Sequence, residues 1–558
     1  MALYKSYVNR TEFKDYDDLK QNLEIKVPDN FNFAYDVLDA LAETNPDGEA
    51  LVWCNHKGHE RIFTFKEMQE LTNKTANYLT RMGITKGDPV MLILKRHYQF
   101  WYILMALHKI GAVAVPATHL LTPKDIVYRN NRADIKCIIC TSDEGVCEHV
   151  DEAENDSPTL KLKMFAGGLG NKEIDGWYDL DAEIEKESDV FERPTGDKAT
   201  TNDDMMILYF TSGTTGHPKM VAHDFTYPLG HIITAIHWHR VKKGGLHLTI
   251  AETGWAKAVW GKMYGQWLGE SAIFVYDMEK FIPTEILSIM EKYKLTTFCA
   301  PPTMYRFFIK EDLSAYDLSS LEELTVAGEA LNPEVYNQIK KATGITMREC
   351  YGQTEVVALV GNFKGMEIKP GSMGKPSPCY DVDIVNDNNE SCLPGEIGEI
   401  VINTSKGRPV GMFRGYYRDE ETTNKAWNNN IYHTGDLAYK DESGYFWYVG
   451  RKDDVIKSSG YKIGPFEVES ALMEHPAVLE CAITGVPDEI RGQVVKATIV
   501  LARGYTPSDE LAKELQDHVK RVTAPYKYPR IVEFVDELPK TISGKIRHVE
   551  IRNKDTKK

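Results

Sequence analysis

The sequence predicts a mixed α/β protein in two unequal parts, and three observations carry that prediction. Helical patterns such as FTFKEMQELTNKTANYLTRMG (residues 63–83) alternate with short β-branched runs such as DIKCIICT (134–141) and LTTFCAPP (295–302), the pattern of layered α/β units with substantial parallel sheet. The length of 558 residues suffices for roughly three to four domain-sized units, each burying its own core. The texture then changes after YVGRKDDVIKSSGYKIGPFEVE (448–469). Short strands and glycine turns precede it. After it come a helix-like PFEVESALMEHP, a strand-like LECAITGVP, a second strand VVKATIVL and the helix SDELAKELQDHVKRVT, which together make a small α+β module. Its boundary is placed near Asp453.

Taken along the chain, the opening MALYKSYVNRTEFKDYDDLKQNLEIKVPDN alternates charge with aromatics and has no continuous apolar core, so a secretory signal is not expected. The most apolar segment, residues 89–117, is broken by Lys95, Arg96, His97, His108 and Lys109 and never reaches the ~18 to 20 uncharged residues of a membrane span. It reads as a buried helix over 98–109 followed by a strand over 112–115. The nine cysteines are scattered, with no Cys-x-x-Cys metal pattern. Cys137 and Cys140 in CIIC read as a buried strand, and a reducing, cytoplasmic location is expected. With 42% hydrophobic and 27% charged residues the chain is neither disordered nor fibrous. Its net charge of -16 opposes a polyanionic partner, which excludes nucleic acid as a first reading.

Several short segments carry candidate chemistry. After the apolar MMILYF, Thr211, Ser212, Thr214 and Thr215 supply hydroxyls, Gly213 and Gly216 allow close backbone approach, and Lys219 adds a compact cation, a composition suited to phosphate. It is not a Walker A loop: Pro218 stands where the second glycine belongs and Met220 where a magnesium-binding hydroxyl belongs. Composition alone also allows a plain surface turn. YGQTE sets the hydroxyl of Thr354 beside the carboxylate of Glu355, oxygen ligands that suit magnesium next to phosphate, although alone it also reads as a glycine turn with a solvated glutamate. Asp436 in HTGDLA is a short acceptor able to pair with two ribose hydroxyls, or ordinary turn chemistry. Lys545 sits in ISGKIRH between small residues, a pattern also met in solvated loop tips. His231, His237 and His239 have no cysteine or acidic companion and do not read as a metal site. There is no Gly-x-Ser-x-Gly elbow around Ser212. In AETGWAKAVWGKMYGQWLGE (251–270), Trp255, Lys257, Trp260, Tyr264 and Trp267 recur at helix-like spacing, which suits a core face as well as a pocket wall.

YFTSGTTGHPKMV (209–221) resembles the phosphate-loop signature of the acyl-adenylate-forming enzymes, the family of acyl-CoA synthetases, peptide-synthetase adenylation domains and luciferases. AGEAL (327–331), YGQTE (351–355), YHTGDLA (432–438), GRKDDVIKSSGYKIGPFEVE (450–469) and LPKTISGKIRH (538–548) follow in that family's order, so the resemblance spans essentially the whole chain. It implies a large N-terminal domain, residues 1–452, of layered α/β subdomains with a distorted β-barrel portion. A small mobile α+β domain, residues 453–558, would turn about a hinge at Asp453. The resemblance implies ATP binding by Thr211, Ser212, Gly213, Thr214, Thr215, Gly216 and Lys219, by Gly328, Glu329 and Ala330, by Tyr351, Gly352 and Gln353, and by Asp436 and Arg451 at the ribose. It puts Thr354 at the α-phosphate, Glu355 on the magnesium ion and Lys545 at the adenylation step.

Ser459, Gly460, Tyr461, Lys462 and Arg491 are then expected to meet CoA, with Lys527 and Arg530 as further cations. Trp255, Lys257 and Gly352 are expected to line the acyl pocket. The implied reaction is ATP-dependent ligation of a carboxylic acid to CoA through an acyl-adenylate, with AMP and pyrophosphate released. An adenylation module loading a carrier protein and a non-catalytic nucleotide sensor are the alternatives. Tyr351 and Gly352 stand where short-chain acetyl-CoA synthetases carry tryptophans, so the expected acid is medium-chain, branched or aromatic. The implied partners are that acid, ATP and CoA, with no nucleic acid and no integral membrane association; a homodimer is left open.

Overall fold

A computed structural model of the chain describes residues 2–143, 145–167, 173–211, 218–540 and 546–556. Two large sheets form its body. In the nine-stranded sheet the order is Lys375–Pro376, Val360–Gly361, Met347–Tyr351, Glu323–Ala327, Thr297–Ala300, Leu246–Thr249, Ala272–Asp277, Glu49–Asn55 and Glu60–Thr64. The strands from Met347–Tyr351 through Glu49–Asn55 run parallel, and their near-continuous apolar runs follow from burial on both faces. The eight-stranded sheet has the order Gly415–Tyr416, Lys219–Asp224, Met205–Thr211, Val113–Pro116, Pro89–Ile93, Cys137–Cys140, Leu162–Phe165 and Tyr178–Asp179.

An antiparallel five-stranded sheet (Asp381–Val385, Gly398–Asn403, Ile431–Lys440, Trp427–Asn428 and Phe446–Arg451) takes the place expected for the barrel-like portion. A fourth sheet of five strands begins only at Ile456–Ser458 and has its own apolar core around Ile463, Leu472, Ile483, Ile499 and Leu515. The architecture is therefore the expected large α/β part followed by a small α+β part.

The expected elements form for local reasons. Helix Phe65–Arg81 starts on a capping box, in which the Thr64 side chain accepts from the Glu67 N–H and the Glu67 carboxylate accepts from the Thr64 N–H. Helix Gln99–Ile110 is buried on all sides and ends at Gly111 in the left-handed region (φ 82°), with strand Val113–Pro116 following. Its buried Lys109 ion-pairs with Asp39 at 2.6 Å. In the C-terminal part, helix Pro465–Met473, strands Val478–Asp488 and Gly492–Leu501, and helix Asp509–Val522 follow in the order read from sequence.

One expectation is corrected. The aromatic stretch 251–270 is not a continuous helix but two short ones, Ala256–Gly261 and Tyr264–Leu268. The break falls at Lys262, whose carbonyl accepts the Trp101 indole N–H at 2.8 Å and whose ammonium donates to the Ala251 carbonyl at 2.7 Å. Tertiary partners take the groups that helix propagation would use. Tyr264 and Trp267 turn into the core: Trp267 is fully buried, stacks beside Phe33 and donates to the Ala50 carbonyl.

Candidate active site

The candidate residues gather where parallel strands end, the usual location of a ligand crevice in an α/β sheet. Ala327 closes strand Glu323–Ala327, Tyr351 closes Met347–Tyr351 and Thr211 closes Met205–Thr211, where it pairs in register with Lys219. The antiparallel sheet adds Asp436 and Arg451, direct cross-strand partners.

Asp436 is the best-supported polar group of the site. It is 4% exposed, and it accepts from Tyr351 Oη and Gln353 Nε2, both at 2.6 Å, and from Tyr448 Oη and Arg451 Nη1, both at 3.3 Å. Burial works against the Arg451 charge, but the neighbouring Asp436 outweighs it and raises the guanidinium above its ordinary value. The segments YGQTE and HTGDLA, more than eighty residues apart in sequence, thus form one node.

Beside it, burial pushes the Glu355 carboxyl upward, while a hydrogen bond from Tyr416 Oη at 2.8 Å and the charges of Lys219 and Arg451 oppose that rise. Lys219 Nζ lies 4.8 Å from the centroid of the Tyr416 ring, so one tyrosine links Lys219 to Glu355. The Thr354 backbone carbonyl accepts from His223 Nε2 at 2.7 Å. His223 is fully buried and stacks on Tyr227 at 3.9 Å; burial pulls its pKa down to about 3, so it is neutral with the proton on Nε2. Sequence reading missed Tyr416 and His223. Only the position of His223, four residues past Lys219 on the same strand, carried any signal.

Lys257 Nζ donates to the Ala327 carbonyl at 2.5 Å, against Gly328, whose φ of 107° suits glycine. Glu329 accepts from Thr303 Oγ1 at 3.0 Å and lies 4.0 Å from the Arg306 guanidinium. Gly352, expected to line the acyl pocket, lies against Trp260. A Cβ there would lie 2.4 Å from Trp260 Cη2, so the indole of Trp260 fills the room that the missing side chain leaves. Trp255, the expected pocket wall, is half-buried just ahead of the first short helix.

In the C-terminal part, Ser459 (φ 50°) and Gly460 (φ 85°) form the turn of a hairpin between Ile456–Ser458 and Tyr461–Ile463. Arg491 Nη1 donates to Ser459 Oγ at 3.2 Å, and exposed Tyr461 stacks on Tyr526 at 4.1 Å. Lys462 sits on the same hairpin. Lys527 pairs with Glu467 at 2.6 Å, and Arg530 donates to Tyr528 Oη at 2.8 Å. Asp453 is exposed, and its carbonyl accepts from Arg552 Nη1 at 2.6 Å. Ser212, Gly213, Thr214, Thr215, Gly216 and Lys545 lie outside the described residues. His231, His237 and His239 are buried, the ring of His239 lying 4.4 Å from that of His247, and desolvation lowers their pKa values, to about 3 for His231 and about 4 for His237. Among the described residues no group of histidine, cysteine or acidic side chains could hold a metal by itself.

Comparison with known proteins gives the family. The AMP-binding enzyme family matches residues 38–417 and the AMP-binding enzyme C-terminal domain matches 467–545. The mitochondrial acyl-coenzyme A synthetase ACSM3 of Mus musculus is 42% identical over 99% of this chain and 96% of its own. The mitochondrial ACSM4 of the same species is 43% identical over 95% and 92%. Among solved structures, the anthranilate CoA ligase AuaEII in complex with anthranoyl-AMP is 28% identical with a TM-score of 0.86, covering 95% of this chain and 98% of that one. The chain belongs to the AMP-binding enzyme family. Within that family it is an acyl-CoA synthetase, an AMP-forming ligase that uses ATP, CoA and Mg2+ to join a carboxylic acid to the CoA thiol through an acyl-adenylate.

The same relatives overturn the cytoplasmic location expected from sequence, because they are mitochondrial proteins. Unpaired cysteines report a reducing compartment without saying which one. No helix among the described residues is long and apolar enough to cross a membrane.

Proposed function

We propose that this synthetase activates a medium-chain, branched or aromatic carboxylic acid, with residues 1–452 and 453–558 taking two arrangements about Asp453. The contact between Gly352 and Trp260 carries the substrate reading: the acyl space is walled by a side chain from a short helix, and not by bulk on the YGQTE strand. The likeness to an anthranilate CoA ligase supports keeping aromatic acids in the class. One methylene in such a pocket is worth only ~1 to 3 kcal/mol, so a broad preference is expected.

In the adenylation half-reaction Asp436, with Arg451, receives the ribose hydroxyls, and the loop 328–330 lies along the base. Lys219 and the loop before it hold the β- and γ-phosphates. The carboxylate oxygen attacks the α-phosphorus in line, Thr354 and Lys545 stabilise the charge that develops there, and pyrophosphate leaves. Glu355 fits a hard cation: its carboxylate, near the Lys219 charge, accepts a hydrogen bond from the Tyr416 hydroxyl on one oxygen and keeps further lone pairs to offer. Magnesium held there supplies charge neutralisation on the phosphates. His223 orients the Thr354 backbone.

In the second half-reaction the C-terminal part turns about Asp453 and withdraws Lys545. The hairpin of Ser459, Gly460, Tyr461 and Lys462, with Arg491, then faces CoA. The CoA thiolate attacks the acyl carbonyl and expels AMP. One lysine cannot stay at the phosphates while a thiol approaches the same carbonyl, which is the physical need for the rotation. A homodimer belongs to the same reading and is tested by sedimentation.

A panel of acids from acetate through octanoate to branched and aromatic acids, with AMP and acyl-CoA both quantified, tests the substrate class; a clear acetate preference would overturn it. Lys545→Ala tests the division of labour. Adenylate formation should fall by ~10² to 10³ or more, while a supplied acyl-adenylate still gives thioester. Equal loss in both half-reactions would contradict the rotation.

A further inference from the structure

We propose that His548 is a positioning residue for the adenylation step: paired with Glu469, it clamps the start of helix His548–Thr556 and with it the chain segment that carries Lys545. The inference rests on the reading of Lys545 as the adenylation lysine. Lys545 lies outside the described residues, three positions before His548, and both flanks of its segment are held. Ile546 forms an antiparallel bridge with Lys540, and the Arg547 N–H donates to the Pro539 carbonyl at 2.8 Å. The helix begins directly after this closure.

His548 Nε2 lies 2.8 Å from Glu469 Oε1, an ion pair between the first residue of the last helix and helix Pro465–Met473. The same oxygen accepts the Ile483 N–H at 2.9 Å, so the carboxylate is itself fixed against strand Val478–Asp488. Further along the helix, Arg552 donates to the Asp453 carbonyl at 2.6 Å and pairs with Asp454, Asp555 pairs with Lys496 at 2.6 Å, and Ile551 is buried beside Ala482, Val500 and Leu538. These contacts fix the body and the far end of the helix. The His548–Glu469 pair holds the end that adjoins Lys545.

Desolvation works against a charged imidazole here, but the hydrogen bond and charge of Glu469, with the charge of Asp454, outweigh it and the opposing charge of Arg552, so the His548 pKa is raised. The other charged side chains nearby are matched among themselves: Arg547 with Glu550, Lys540 with Glu480 and Lys527 with Glu467. Because the folded pKa lies above the ordinary 6.5, the ion pair is intact below that value and is lost as pH rises through the raised one. An arginine in this place would keep its charge throughout.

Acid-dependent ATP–pyrophosphate exchange by the full chain, set against thioester formation from supplied acyl-adenylate and CoA, tests this in wild type, His548→Ala and His548→Arg. His548→Ala should lower the exchange rate about tenfold and leave thioester formation within about twofold of wild type, whereas His548→Arg should keep exchange within about threefold. From about pH 6 to about pH 9 the wild-type exchange rate should fall relative to that of His548→Arg, whose cation does not titrate in that range. Equal losses in both half-reactions, wild-type exchange in folded His548→Ala, or coincident pH profiles for wild type and His548→Arg would overturn the inference. Should His548→Ala not fold, the pH comparison decides by itself. Lys545→Ala separates the two readings: undiminished exchange in that variant would instead remove Lys545 from the adenylation step.

Discussion

Asp436 draws donors from two separate strands and from Gln353 in the YGQTE turn, and this makes it the most sensitive single residue of the candidate nucleotide site. Charge-assisted hydrogen bonds of this kind are worth about 1.5 to 3 kcal/mol each, so Asp436→Asn is expected to raise KM for ATP about 10- to 100-fold. Initial-rate kinetics at saturating acid and CoA would show it, and a change below about twofold would remove Asp436 from the ribose site. Gly352 is constrained by neighbours and not by backbone torsion. An added methyl would meet Trp260 Cη2 at 2.4 Å and the Ala358 nitrogen and Val356 oxygen at 3.0 Å. Gly352→Ala should therefore cost about 1 to 3 kcal/mol in denaturant unfolding and shift the acid preference as the indole is displaced.

At the level of elements, the site depends on ends and turns. Asn332 is one such point: its Oδ1 caps helix Pro333–Thr343, and its Nδ2 donates to the Ser470 carbonyl of helix Pro465–Met473 at 3.1 Å. Asn332→Ala should cost about 1 kcal/mol of stability through the lost cap. It should also loosen the C-terminal part, seen as faster proteolytic cleavage between Arg451 and Ile456. Unchanged cleavage would mean that this tie does not restrain the small domain. The stretch 251–270 shows where element-level reading fails. Aromatic spacing signalled one helix, but a helix interior requires its carbonyls, and Trp101 takes the one at Lys262. Elements with local caps, such as Phe65–Arg81 and Asp509–Val522, formed as the spacing indicated.

For the whole molecule, a buried acid ties stability to pH. The folded pKa of Glu349, about 8, lies above its ordinary value of 4.5. Between those values the unfolded chain holds fewer protons than the folded one, so stability falls as pH rises from about 4.5 to about 8 and levels off above that. At pH 7 the contribution is on the order of 3 kcal/mol. Urea unfolding at intervals between about pH 5 and 8 should show a shallower slope in Glu349→Gln than in wild type. Parallel slopes would show that Glu349 does not carry this dependence.

The sequence by itself determined the α/β class, the order of the C-terminal elements and the family, because periodicity, capping and ordered motifs are local properties of the chain. The tertiary structure alone supplied the mutual arrangement of the candidate site residues. Tyr416 joins Lys219 to Glu355, His223 holds the Thr354 backbone, Trp260 fills the space over Gly352, and Glu349 reaches Leu331. Each of these contacts joins residues that only sheet pairing and burial bring together. A long-range hydrogen bond or a buried pKa depends on what packs around a group, and neighbours along the chain do not specify that.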